Sequence, residues 1–113
     1  MIIYGIKTCS TVGKAVKFMK AHEIDFDFVD YKKESVGEEK IQTWLEKVDI
    51  DLLFNNRGKK YRDLKLKELN LDTEGKIIWI AKENYLLKRP VIEFGEGEVL
   101  VGFDEERYQE VFL

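Results

Sequence analysis

Residues 4 to 15 read YGIKTCSTVGKA and contain Cys9, the single cysteine of the chain. The thiolate rather than the thiol attacks disulfides, so the chemistry open to Cys9 depends on whether its surroundings ionise it. Cys9 stands where an apolar strand pattern gives way to helical spacing. A helix starting just after it would leave the amides of Ser10, Thr11 and Val12 without intrahelical partners. Those amides and the positive end of the helix dipole favour a charged sulfur. The competing reading is a small apolar residue in the core, the usual fate of a free cysteine. The strand-to-helix position favours chemistry. The hydroxyls of Ser10 and Thr11 either bond the sulfur or serve as helix-start residues.

In the stretch CSTV, Val12 occupies the place where a CxxC pair carries its second cysteine, so the chain holds no resolving thiol. Any disulfide at Cys9 is then intermolecular, and an outside thiol must release the product by exchange. Pro90, the only proline, precedes the apolar run VIEF and fits a strand start, where a missing N–H is tolerated. The run NNRGKKYRD gathers Arg57, Lys59, Lys60 and Arg62. It is either a solvated basic face or a grip for the carboxylates of an anionic thiol or an acidic partner. Lys7 adds positive charge near Cys9, with solvent exposure the plainer reading. His22 reads as a helix C-terminal residue that suits the dipole.

The elements that position these residues follow from periodicity. Ile2 to Tyr4 is a short strand. Val12, Ala15, Val16 and Met19 then follow helical spacing, with His22 and Glu23 at the end. Phe26, Phe28, Val29 and Tyr31 form a second strand before the charged turn Lys32, Lys33, Glu34. A βαβ unit of this kind implies a parallel pair, with Cys9 at the carboxyl end of the first strand. Ser35 with Glu38 fits a capping box, and Ile41, Trp44, Leu45 and Val48 give a second amphipathic helix. From Asp49 to Leu71 an irregular helical insert is expected. Residues 77 to 81, IIWIA, are strand-like by composition, but Asp72, Glu74 and Lys82 suit the ends of a helix, which is the preferred reading. Val91 to Phe94 and Val99 to Phe103 flank Gly95, Glu96 and Gly97 as a hairpin. Asp104 caps a last helix that turns Tyr108, Val111 and Phe112 inward.

A length of 113 residues suits a single domain spanning 1–113, with a helical insert at about 36–84. Hydrophobic residues make up 44% and charged residues 36%, a globular composition rather than a disordered one. The 19 basic and 22 acidic residues are interleaved and give a net charge of −3, which offers no basic field for direct nucleic-acid binding. One histidine and one cysteine cannot form a structural zinc site of the usual kind, so no metal is expected. The start, MIIYGIK, lacks a basic region followed by an apolar one, and IIWIA is too short to span a bilayer. A cytoplasmic location without membrane association is expected.

The order βαβ, helical insert, helix, ββα is that of an α/β thioredoxin-like fold with a helical insertion. Five segments, IYGIKTCSTVGKA, FVDYKKE, NNRGKKYRDL, LLKRPVIEF and VLVGFDEERY, occur in an order that resembles the arsenate-reductase-like family of ArsC, Spx and YffB proteins, and within it the YffB-type branch. The resemblance implies a thiol-dependent reductase with Cys9 as nucleophile. Arg89, which precedes the proline, would be its electrostatic partner, and a cis Pro90 would face the cysteine and shape the substrate edge. Ser10, Thr11, Val12, Arg57 and Pro90 are the expected substrate-binding positions. No cofactor is expected to be bound, and glutathione is the expected co-substrate. The expected partners are such a small thiol or a protein, with the chain itself monomeric.

The sequence departs from the arsenate reductases of this family at several positions. Their motif HX3CX3R has Gly5 and Gly13 at its histidine and arginine here. The arginine of their insert falls near Asn55, two residues from Arg57, and another falls near Gly102. Only Arg89 remains, whereas a multiply charged oxyanion needs several donors, which argues against arsenate reduction. The alternative is a non-enzymatic, Spx-like regulator or adapter binding RNA polymerase or another protein, without the CxxC switch.

Overall fold

A computed structural model describes all 113 residues, Met1–Leu113. The elements are β1 (Ile2–Gly5), α1 (Ser10–Ala21), β2 (Asp27–Asp30), α2 (Glu38–Trp44), α3 (Ile50–Leu53), α4 (Lys59–Asp63), α5 (Thr73–Lys82), β3 (Val91–Phe94), β4 (Glu98–Val101) and α6 (Glu105–Phe112), with 3-10 turns at Leu66–Leu69 and Asn84–Leu86. The chain divides into two compact units, Met1–Asp30 with Arg89–Leu113, and Tyr31–Lys88. No helix is long and apolar enough to cross a membrane.

The first unit is a four-stranded sheet in the order β2-β1-β3-β4. β1 runs parallel to β2 and antiparallel to β3, and β3 pairs antiparallel with β4. Ile3 lies opposite Ile92 across the central pair. Both pack with Ala15, Phe18 and Met19 of α1 and Tyr108 of α6 in one core. Burying each large apolar side chain is worth about 1.5 to 3 kcal/mol, so α1 is held mainly by this face. Tyr108 meets Phe18, Phe103 and Phe112 edge-on at 5.4, 4.8 and 5.3 Å between ring centroids. Its hydroxyl donates to the Gly102 carbonyl, and burial pushes the phenol well above its ordinary pKa.

The start of α1 is fixed by a close approach. A Cβ on Gly5 would lie 2.8 Å from Val12 Cγ2, so the end of β1 and the first turn of α1 touch with no room for a side chain. Three sequence expectations are corrected in this unit, the first being the second hairpin strand, which is Glu98–Val101 rather than Val99 to Phe103 because β3 offers partners only over Val91–Phe94. β2 is confined to Asp27–Asp30 because β1 offers it only the four partners Ile2–Gly5, which leaves Phe26 and Tyr31 outside the strand. Phe18 rather than Val16 completes the buried stripe of α1, and Val16 is half-buried.

The second unit is helical, as expected for its middle stretch. Ile41, Trp44, Leu53, Ile80, Leu86 and Leu87 are fully buried. Asn84 is buried among polar contacts: its Oδ1 accepts from the Val36 amide at 2.8 Å, and its Nδ2 donates to the carbonyls of Val36 at 2.9 Å and Ile80 at 2.8 Å. This grip overturns the Ser35–Glu38 capping box. With both backbone groups of Val36 held by Asn84, the helix starts at Glu38 behind Gly37, without a side-chain cap. α2 also ends at Trp44, before the expected Leu45 and Val48, because the Trp44 carbonyl accepts from Lys47 and Val48 in a closing turn. Residues 77 to 81 are helical, and Asp72 caps α5 by accepting from the Gly75 amide at 2.8 Å.

Candidate functional site

Cys9 is the N-cap of α1, with an extended backbone (φ −79°, ψ 127°). Its amide donates to the Ile6 carbonyl at 3.1 Å, and its carbonyl accepts the first helical hydrogen bond from Gly13 at 3.0 Å. The sulfur is thereby fixed at the mouth of the helix and remains partly exposed. It makes no conventional capping bond. A soft, diffuse anion still feels nearby amides as charge against dipole. Burial pushes the Cys9 thiol up. The Val12 amide, a contact from the Arg89 side chain, the Thr11 amide and the Arg89 charge together outweigh burial and hold the thiol below its ordinary value of 9.0.

Arg89 precedes β3, and its Nε is buried. The strand pairing brings it to the cysteine: β3 runs against β1 with Val91 opposite Tyr4, so the residues just before β3 reach the carboxyl end of β1, where the Cys9 loop begins. The Arg89–Pro90 bond is cis. Pro90 is buried, and its carbonyl accepts from the Gly102 amide at 2.8 Å, which anchors the turn to the segment after β4.

The remaining sequence candidates fall into different places. Thr11 and Val12 act through their amides, the two positions from which a cap side chain is ordinarily reached. Ser10, also expected to offer its amide, is exposed at the first helical position and is not among the groups that shift the sulfur. Its N–H precedes the two that an N-cap atom reaches. Arg57 belongs to the helical unit and is exposed there. Its amide donates to Asn55 Oδ1 at 3.2 Å, and its carbonyl accepts from Arg62 Nη1 at 2.8 Å. In the same run Lys59 pairs with Asp63 at 2.7 Å, and Lys60 lies 3.7 Å from Glu83. Lys7 is exposed, and His22 is the C-cap of α1. No three histidine, cysteine, aspartate or glutamate side chains converge as they would around a metal ion.

Sequence reasoning missed a groove of about 390 Å³ that opens beside the first turn of α1, lined by residues that include Lys7, Val12, Val16, Lys20, Phe26 and Phe28. The available signal was two phenylalanines beside a helix whose apolar stripe was already complete.

A β-α-β, β-β-α sheet unit with a cysteine at a helix N-terminus and a cis proline ahead of the third strand defines a thioredoxin-like α/β protein. The chain belongs to the ArsC family, whose model matches residues 4–111. It is similar to the solved structure of a YffB protein, at 30% identity and a TM-score of 0.92, over 99% of this chain and 98% of that one. It is also similar to an arsenate reductase related protein from Brucella melitensis, at 34% identity and a TM-score of 0.76, over 98% and 92%. The global transcriptional regulator Spx of Lactiplantibacillus plantarum is 25% identical over 94% of this chain and 81% of its own length.

Proposed function

We propose that the chain is a thiol-dependent reductase that uses Cys9 as its single nucleophile and glutathione as co-substrate. The observation that supports this most directly is the convergence of the Val12 and Thr11 amides and the Arg89 guanidinium on a partly exposed sulfur, with the thiol held below its ordinary pKa. In the first step the thiolate attacks a substrate disulfide, forming a Cys9 mixed disulfide and expelling the other sulfur as a thiolate. In the second, a glutathione thiolate attacks the mixed disulfide, takes the captured group and restores Cys9. Arg89 stabilises the charged sulfur at rest and as it is regenerated, and Pro90 shapes the edge along which the substrate lies. With one cysteine in the chain, the second thiol comes from outside.

Alkylation of Cys9 followed against pH tests the reading. The rate is expected to reach its plateau at a lower pH than for an unperturbed thiol, and exposure to oxidised glutathione should yield a stoichiometric adduct by intact mass. An ordinary thiol profile without an adduct would remove the basis of the proposal.

The likeness to Spx supports a second reading, a regulator or adapter that binds RNA polymerase or another protein. Exposed Leu52, Leu64, Leu69 and Ile78, together with the basic run around Arg57, give the helical unit a surface of mixed apolar and cationic character for such a contact. A Cys9→Ser variant separates the two readings, since partner binding would survive the substitution and thiol exchange would not.

A further inference from the structure

The groove along α1, which starts at Lys7, Val12 and Gly13 on either side of Cys9 in sequence, combines three features. Its floor is apolar, formed by Val12 and Val16 of α1 with Phe26 and Phe28 on the β2 side. Val16, Phe26 and Phe28 are only half-buried, although all three belong to the fringe of the core. Lysines stand at both ends: Lys7 next to the cysteine loop and Lys20 two turns further along α1, about 12 Å from Val12 at the helical rise. Its volume of about 390 Å³ is within the range that takes a small ligand or a few side chains of a peptide.

The charge around the groove has one sign on the helix side. α1 carries Lys14, Lys17 and Lys20 on exposed positions and no acidic residue. On the strand side Asp27 falls between Phe26 and Phe28, and alternation turns its side chain to the opposite face of the sheet. Asp25, which precedes Phe26, is exposed at the approach to β2.

Gly13 lines the groove as well, and a Cβ built on it would meet nothing within 4 Å. Glycine inside a helix costs about 1 kcal/mol relative to alanine. No packing within the chain requires it there. What the missing side chain leaves is an open wall.

We propose that this groove selects acidic peptide disulfides with an apolar residue beside the reacting cysteine, so that the chain's preferred substrates are disulfide-bonded cysteines in acidic protein segments. The proposal deepens the reductase reading and rests on Cys9 being the exchanging nucleophile. The apolar side chain of the peptide occupies the floor of Val16, Phe26 and Phe28, while flanking carboxylates meet Lys7 and Lys20. The Cys9 thiolate then attacks the peptide sulfur, the Cys9–peptide disulfide forms, and the peptide's former partner sulfur leaves as a thiolate. A glutathione-type thiol subsequently displaces the peptide.

The test uses the full chain and three short peptides, each a mixed disulfide with the same chromogenic aryl thiol. One has cysteine followed by leucine and flanked by glutamates. The second replaces the glutamates with lysines, and the third replaces the leucine with serine. A small uncharged disulfide with the same leaving group is the reference, and every peptide rate is divided by the reference rate to cancel changes at Cys9 itself. The glutamate-leucine peptide is expected to exceed both others by roughly tenfold at low salt, with the advantage over the lysine peptide shrinking as salt is added. Gly13→Gln should bring the leucine peptide down to the level of the serine peptide, and Lys20→Glu should remove the preference for glutamates. Equal normalised rates for the three peptides, or a faster lysine peptide, would overturn the groove proposal alone. A reference disulfide that does not react would overturn the exchange reading together with it.

Discussion

The unit that carries Cys9 and the unit formed by Tyr31–Lys88 use polar groups differently. In the sheet unit the core is aliphatic and aromatic, and Cys9 and Arg89 stand at its margin, neither fully buried. In the helical unit short helices are stitched by polar side chains: Asn84 binds the backbone of Val36 and Ile80, Lys88 Nζ donates to the Asp51 carbonyl at 3.0 Å, and Lys76 meets Asp51 Oδ1 at the same distance. The helices there are too short to hold by propensity alone, since α3 has 4 residues and α4 has 5. A marginal polar group is available for reactions, whereas an enclosed one is committed to structure. Loss of Cys9 or Arg89 should therefore be felt as lost reactivity, and loss of the enclosed Asn84 as lost stability.

The sharpest test is Cys9→Ser, which should abolish glutathione adduct formation and thiol exchange while leaving the urea midpoint nearly unchanged. Asn84→Ala should do the reverse. It strips three hydrogen bonds and leaves the Val36 amide and carbonyl without their partners, at a cost of about 2 to 4 kcal/mol in urea unfolding. Cys9 alkylation below the unfolding transition should stay at the wild-type rate. An Asn84→Ala protein with wild-type stability would erase the contrast. Arg89→Gln is expected to slow alkylation at neutral pH by about tenfold, by withdrawing charge from the sulfur, with little change in unfolding. If its stability falls while reactivity holds, Arg89 is a structural residue.

Tyr108 sharpens the comparison from the other side, as an enclosed polar group within the sheet unit. Tyr108→Phe keeps the aromatic cluster and loses the bond to Gly102, so about 1 kcal/mol of stability should disappear without an effect on thiol chemistry. The smallest expected effect is the pH linkage of Cys9. A thiol held below 9.0 in the folded state stabilises that state above its unfolded pKa, and the contribution is lost as pH falls through the folded value. The stability of the wild type relative to Cys9→Ser should accordingly improve between a pH below the folded value and a pH above 9, as read from paired urea titrations. A narrowing in the other direction would contradict ionisation of the sulfur.

Local physics was legible in the sequence wherever one residue decides an outcome. Asp72 and Asp104 announce helix starts, and both accept from the amide three residues on. The Val12, Ala15, Met19 spacing places α1, and the position of Cys9 at its head follows. The Ser35–Glu38 pattern failed because a capping box is a local signal, and Asn84, 48 positions from Val36, competes for the backbone it needs. Arg89 is 80 positions from Cys9, and only the pairing of β1 with β3 brings them together, so periodicity could not join them and the family resemblance did. The groove lies beside β2, one of the two edge strands, a matter of sheet order that neither β2 nor α1 encodes alone.

The solitary sulfur of this chain has a further consequence. A protein with two cysteines can store an oxidation event within itself and carry it elsewhere. This one cannot store it as a disulfide of its own, because each disulfide it forms includes a second molecule and weighs more than the polypeptide. Its redox state is therefore a census of its neighbours, written as mass, and the distribution of adducts recovered from an oxidised solution would name the molecules that had met it.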